Sequence, residues 1–195
     1  MSPFSVVPRE TIASYSLDCK KSRDRTTICG VPCAIISITG SNGKTTTKEL
    51  IKKILSENFS CQATEGNLNN QIGLPLTLLA LSEAADYLVL EMGARKAGDI
   101  NYLCSLSRPN ISLVNNIQNA HIGAFGNLDT TASAKSEIYQ SLPEDGVGVL
   151  NLDIDYADKW RDVIGARRCI TFSAEGKCCL LYTSPSPRDR TRSRM

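Results

Sequence analysis

Short apolar runs alternate along most of this 195-residue chain with stretches in which apolar positions recur every three or four residues. Runs at Ala34–Ile38, Tyr87–Glu91 (YLVLE), Ile111–Asn115 (ISLVN), Val147–Leu150 and Cys169–Phe172 predict strands, and a shorter one is expected near Cys61–Thr64. The intervening periodicity predicts helices at about Thr45–Asn58, Leu76–Leu81, Asp99–Leu106, Thr130–Leu142 and Tyr156–Ile164. Leu50, Ile51, Ile54 and Leu55 make one apolar face of the first helix; Ile138, Tyr139 and Leu142 make that of the fourth. Continuously apolar strands alternating with helices predict an α/β fold, a mostly parallel sheet flanked by helices on both faces. Ligands in such folds sit at the carboxyl ends of the strands. Gly40–Thr45, Glu91 and Asn115–His121 fall there.

Both ends break this grammar. Residues 1–32 hold Pro3, Pro8 and Pro32, lack a strong period and offer only a short helix at Thr11–Lys21; they read as a remnant or linker before the first strand. The tail 179–195, CLLYTSPSPRDRTRSRM, has two prolines, four arginines and no amphipathic period. Its opening, CLLYTSPSPRD, spells a translated transposon-based sequencing adapter, so a non-native tail is expected from Cys179, with the reading frame ending near Lys177 or Cys178. The ordered domain is expected at 33–178.

Composition changes the picture in one respect. The formal charge of +2 comes from 22 basic and 20 acidic residues, but Arg188, Arg190, Arg192 and Arg194 face only Asp189 in the last eight positions. Without those eight residues, 18 basic residues meet 19 acidic ones, so the body has no general attraction for nucleic acid. No apolar run approaches the ~20 residues that span a bilayer, and the N-terminus lacks a basic segment followed by an apolar core. Eight cysteines are irregularly spaced, with no matching His or Cys cluster beside Cys29 and Cys33. Reduced thiols in a cytoplasmic protein are expected rather than a zinc site.

The chemistry centres on TGSNGKTTT, Thr39–Thr47, between the first strong strand and its helix. A glycine loop lets backbone N–H groups close on phosphate oxygens, a helix N-terminus adds partial positive charge, and a lysine reaches the outer phosphates. Gly40, Ser41, Asn42, Gly43, Lys44, Thr45 and Thr46 are the candidate nucleotide-binding set, for ATP or GTP, with the Thr45 hydroxyl placed for Mg²⁺. The general phosphate-loop pattern is imperfect, because Ile38 stands at its first glycine. Glu91 ends a buried strand, where a Mg²⁺ carboxylate is usually supplied. His121 is the only histidine, and a lone histidine is ordinarily structural or solvated. Lys135 lies on the fourth predicted helix, where residue physics alone leaves it a solvated charge.

In series, TGSNGKTTTKE, EGNLNNQIGLPLTLL, LVLEMGA, NNIQNAHIGAFGN and AKSEIYQSLPEDGVGVLN resemble the Mur ligase family, over about Ala34–Ser173. The loop form beginning at Thr39 is similar to that family's own. The resemblance implies the family's central, P-loop NTPase-like ATP-binding domain, here incomplete. It implies a ligase in which ATP phosphorylates a substrate carboxylate and an amine then attacks the acyl-phosphate. The form GNLNNQIGLPLTLL implies UDP-N-acetylmuramoyl-tripeptide and D-alanyl-D-alanine as the partners of the complete enzyme, in peptidoglycan precursor synthesis. Lys44 is implied to stabilise the γ-phosphoryl charge and, with Lys135, to be catalytic; Thr45 and Glu91 to hold Mg²⁺. By the same resemblance His121 matches a ligand of a second Mg²⁺, Lys135 matches a lysine carried as a carbamate, and Asn69 and Asn70 lie near substrate. The family's N-terminal nucleotide-sugar domain and C-terminal amine-substrate domain have no counterpart here, so a fragment inactive by itself is expected. A cytoplasmic monomer free of nucleic acid and membrane completes the expectation. The alternatives are another phosphoryl-transfer enzyme, such as a small kinase or a folylpolyglutamate-type ligase, and a non-catalytic nucleotide-binding module.

Overall fold

Most strands of the main sheet are short runs rich in β-branched or aliphatic residues, with segments of helical period between successive strands. The structure, a computed structural model, describes residues 27–28, 31–82, 85–118 and 127–175. His121, the expected helix at Thr11–Lys21 and the tail lie outside them. In chain order the elements are β1 (Thr27–Ile28), β2 (Val31–Pro32), β3 (Ala34–Thr39), α1 (Lys44–Leu55), β4 (Cys61–Ala63), α2 (Gly73–Leu79) and β5 (Tyr87–Glu91). Then come α3 (Asp99–Ser107), β6 (Ile111–Val114), α4 (Leu128–Gln140), β7 (Val147–Asn151), α5 (Ala157–Ile164) and β8 (Arg168–Phe172). β1 and β2 form a separate antiparallel pair; the other six strands make one sheet in the order β4-β5-β3-β6-β7-β8. Every pairing in that sheet is parallel.

The strand order explains where the helices go. From β3 the chain steps away through α1 to β4, and every later connection steps back across the sheet. Right-handed crossovers therefore place α1 on one face and α2 to α5 on the other. Alternate strand residues confirm the division, because neighbours along a strand point to opposite faces. Ile35, Leu88, Leu90, Val114 and Leu150 join the large core with α2 to α5, whereas Ile36, Ile38, Val89 and Leu113 meet Ile51 and Leu55 of α1. The direction of winding reverses at β3. In an open α/β sheet that reversal leaves a crevice at the strand's carboxyl end, which is where the glycine loop lies.

Strand positions agree closely with the sequence pattern, but the expected apolar face of α1 does not hold. Leu50 and Ile54 are 56% and 68% exposed, and the helix instead turns Lys48 inward, 1% exposed, beside Ile51 and Leu55. The start of α1 is pinned by the loop after β3, which rotates the helix until Lys48 reaches the carbonyl of Thr64, 2.6 Å away. Helix α2 begins three residues before the expected Leu76, despite Pro75, because proline is tolerated in a first turn. On the α1 side, Ile170 and Phe172 of β8 are 39% exposed, since no described helix covers that end of the sheet.

One side chain ties α4 to the sheet. Buried Tyr139 accepts the Val114 N–H at 3.1 Å and donates its hydroxyl to the Val149 carbonyl at 2.7 Å. It thus bridges β6 and β7 where their ladder ends at Leu113 and Val149. Trp160 of α5 packs against the same ring, with centroids 5.9 Å apart. Tyr139→Phe keeps the packing and leaves both backbone groups without their partner. A loss of about 1–3 kcal/mol is expected, read as a lower urea midpoint at unchanged slope.

Candidate active site

The loop after β3 owes its shape to a second loop as much as to its own glycines. Its backbone N–H groups at Ser41 and Asn42 donate to the carbonyl and side-chain oxygens of Asn116, at 3.0 and 2.9 Å. Asn115 donates its side-chain amide to the Asn42 carbonyl at 2.9 Å, and the Ser41 hydroxyl accepts the Gln118 N–H at 3.1 Å. Glycine is required at both ends of the loop for steric reasons. Gly40 and Gly43 have φ of +151° and +73°, and a Cβ at Gly43 would lie 2.7 Å from Asn115 Nδ2. Gly43 is also the N-cap of α1, which has no side-chain cap. The first N–H groups of α1 therefore face the crevice without an intrahelical acceptor, the arrangement that attracts a phosphate.

Two lysines converge on this loop from different parts of the chain. Lys44 Nζ donates to the carbonyls of Gly40 and Ser41 at 3.0 and 3.3 Å, and Lys135 Nζ donates to the same Gly40 carbonyl at 3.1 Å. Lys135 is 5% exposed, which overturns the solvated charge read from its residue type alone. α4 is fixed by the Tyr139 bridge, and Lys135, one turn earlier, points under the glycine loop. Burial, with the Lys44 charge as a second cause, holds its ammonium down to about 8.

Glu91 ends β5 beside the start of α1 and is 3% exposed. Its Oε2 accepts the Thr45 hydroxyl at 2.9 Å and its Oε1 accepts the Asn69 amide at 2.8 Å. A hydroxyl and a carboxylate oxygen at that separation suit magnesium: neighbouring vertices of an octahedron with bonds of 2.0–2.1 Å lie about 2.9 Å apart. Behind this pair, Lys48 holds the Thr64 carbonyl while the Thr64 hydroxyl accepts the Glu91 N–H at 3.0 Å. Lys48 therefore fixes the strand ends that carry Glu91, and its only described ion pair is with exposed Glu49 at 2.9 Å.

A cavity of about 880 Å³ opens from Gly40, Lys44 and Lys135 towards Asn69–Ile72 and Gly93–Lys96. Asn69 and Asn70 both line it, but their side chains also hold structure: Asn70 Oδ1 accepts the N–H groups of Ile72 and Gly73, at 3.0 and 2.9 Å, and starts α2. Gly93 lies against Asn69, where a Cβ would meet its Oδ1 at 3.0 Å. The structure thus brings Lys44, Thr45, Glu91, Asn69, Asn70 and Lys135 to one crevice, and His121 lies outside the described residues. Sequence reasoning gave no role to Lys48, Arg95, Lys96 or Asp99, and placed Asn116 and Gln118 at the ligand end only as part of the stretch Asn115–His121. The signal for Asn116 and Gln118 was present, as polar residues just past a buried strand; nothing local marks Lys48.

Residues 38–186 match the Mur ligase middle domain. The chain belongs to the Mur ligase family. It is 46% identical over 143 residues to the UDP-N-acetylmuramoyl-tripeptide--D-alanyl-D-alanine ligase of Escherichia coli K12, a span of 73% of this chain and 32% of that one. The corresponding Bacillus subtilis ligase is 45% identical over 113 residues, 58% of this chain and 25% of the relative. Among solved structures, MurF from Acinetobacter baumannii superposes with a TM-score of 0.75 at 33% identity, covering 86% of this chain and 35% of that one. MurF from Thermotoga maritima, solved in complex with ADP, gives 0.71 at 28% identity, covering 88% and 38%. The chain spans about a third of the length of the curated relatives it matches.

Within this Mur ligase domain the depressed ammonium of Lys135 has a consequence in solution. Its folded value of about 8 lies below the ordinary 10.5, so the neutral amine appears in the folded state first. The linked stability is fully present above about 10.5 and lost as pH falls through about 8. Competitive acylation mapped by mass spectrometry is expected to show Lys135 reactivity rising with a midpoint near 8; a midpoint near 10.5 contradicts the geometry.

Proposed function

We propose that this chain is the ATP-binding part of a ligase that joins D-alanyl-D-alanine to UDP-N-acetylmuramoyl-tripeptide. One observation carries the reading: two lysines and an uncapped helix start meet at Gly40, beside a hydroxyl–carboxylate pair of magnesium spacing. That arrangement suits transfer of a phosphoryl group to an anionic acceptor, and the likeness to UDP-N-acetylmuramoyl-tripeptide--D-alanyl-D-alanine ligases over most of the chain supports the substrates.

The chemistry follows from charge. A carboxylate oxygen of the tripeptide attacks the γ-phosphorus of ATP, the bond to the β–γ bridging oxygen breaks, and ADP leaves with that electron pair. The dipeptide amine then adds to the acyl carbon, loses a proton and expels inorganic phosphate, leaving an amide. The first step brings two anions together, so it depends on cations already in place. Lys44 gives up the Gly40 and Ser41 carbonyls to reach the γ-phosphoryl oxygens, and the α1 N–H groups hold the β-phosphate. Thr45 and Glu91 would hold Mg²⁺, with Asn69 orienting the carboxylate; when bound, the ion would supply charge neutralisation to the phosphates.

Lys135 enters as a carbamate. Its neutral amine adds to the carbon of CO₂ and releases a proton, replacing a buried cation beside Lys44 with an anion. That exchange removes one like-charge contact and creates an attractive one across the Gly40 carbonyl. The carbamate and His121 would serve a second Mg²⁺, as the family resemblance implies.

Two measurements test the reading in the complete ligase. Lys44→Ala removes a preorganised charge and is expected to lower turnover by ~10²–10³-fold; near-normal turnover sinks the role of the loop. Lys135→Ala is expected to inactivate equally, with partial recovery on adding short carboxylic acids that occupy the place of the carbamate. Loss without any recovery would assign Lys135 to the cationic form seen here.

A further inference from the structure

The cavity beside the glycine loop carries more positive charge than phosphoryl transfer uses. Among the described residues, Lys44, Arg95 and Lys96 line it together with the reactive Lys135, and the acid among them is Asp99. Asp99 is 7% exposed and its carboxylate is already consumed. Oδ1 accepts the Gln71 amide at 2.9 Å, and Oδ2 accepts the backbone N–H groups of Arg95 and Lys96 at 2.9 and 3.1 Å. The acid therefore builds the turn that presents Arg95 and Lys96 without neutralising their side chains. Both are exposed, and neither has an acidic partner within ion-pair distance among the described residues.

Position tells which reactant meets them. Lys44 and Lys135 line the cavity, whereas Thr45 and Glu91, in the same crevice, do not. The nucleotide's phosphates enter from the α1 side, so the cavity is the side from which the acceptor arrives. Arg95, Lys96, Asn70 and the apolar Ile72 and Ala94 also line it, a lining that fits a chain with short aliphatic segments and further negative charge.

We propose that Arg95 and Lys96 bind a carboxylate of the acid substrate other than the one that is phosphorylated, and so select a peptide with more than one free carboxylate. The proposal rests on the ligase reading for the direction of approach, and its test separates the two. The 195-residue chain is titrated, in ¹⁵N spectra that read millimolar affinities, with four probes. These are L-alanyl-γ-D-glutamyl-meso-diaminopimelate, the same peptide amidated at every carboxylate but its C-terminal one, UDP, and Mg²⁺-ATP. The free peptide is expected to shift the amides of Gly93–Gly98 and Asn69–Ile72. Its affinity falls about tenfold in the Arg95→Gln/Lys96→Gln double variant, which keeps the backbone contacts to Asp99. The amidated peptide binds the unsubstituted chain no better than the free peptide binds the variant, and Mg²⁺-ATP binds both chains alike. Equal affinity for the two peptides overturns the proposal, as does no peptide-dependent shift at Gly93–Gly98. A loss confined to UDP or Mg²⁺-ATP in the variant also overturns it, by assigning the two cations to phosphate. Failure of Mg²⁺-ATP to bind while the peptide effect persists would instead sink the ligase reading and leave the carboxylate site standing.

Discussion

The glycine loop cannot hold its own conformation, and the rest of the site follows from what holds it. Two of its N–H groups are spent on Asn116, and its Asn42 carbonyl is taken by Asn115. These partners lie more than seventy residues away in sequence, one strand over in the sheet. The parallel pairing of β3 with β6 therefore sets the loop, because it aligns Thr39 with Val114 and brings the following residues together. The same pairing starts α1 at Lys44, and the resulting rotation of α1 puts Lys48 inside and Thr45 against Glu91.

Charge is the second consequence. Gly40 sits where β3 ends, and its carbonyl becomes the shared acceptor of ammonium groups from α1 and α4. Two cations on one oxygen are tolerable only because they are held there by packing, Lys135 through the Tyr139 bridge one turn away. An anion placed beside either lysine would ease that like-charge repulsion. Glu91 meanwhile accepts Thr45 and Asn69 at its two oxygens and makes no ion pair with either lysine among the described residues. Opposite charges are thus kept apart in the same crevice.

Among the described residues, no cysteine lines this crevice. Cys33, Cys61, Cys104 and Cys169 are free, and burial pushes the Cys104 thiol up to about 12, with its sulfur 3.7 Å from that of Met92. These residues behave as small core hydrophobes.

Several parts of this protein were fixed by local pattern. The strand at Tyr87–Glu91 reads directly from YLVLE, since a fully buried parallel strand must be apolar throughout. The loop chemistry at Gly40–Thr45 reads from residue types, because only glycine, lysine and threonine in that order give open N–H groups, a long cation and a hydroxyl at a helix start. The face of α1 was not legible. Leu50 and Ile54 satisfy helical period as well as Ile51 and Leu55 do, and only the clamp on the preceding loop decides which pair turns inward. Lys135 was legible only through family resemblance; its burial depends on α4 crossing behind Gly40, a contact ninety-five residues apart. Arg95 and Lys96 look like ordinary solvated charges in sequence, and acquire meaning only when Asp99 folds their turn onto the cavity wall. Sequence by itself determined which residues could do chemistry, since reactivity resides in side-chain type. The tertiary structure decided which of them share a crevice, because that depends on the order in which parallel strands are laid side by side.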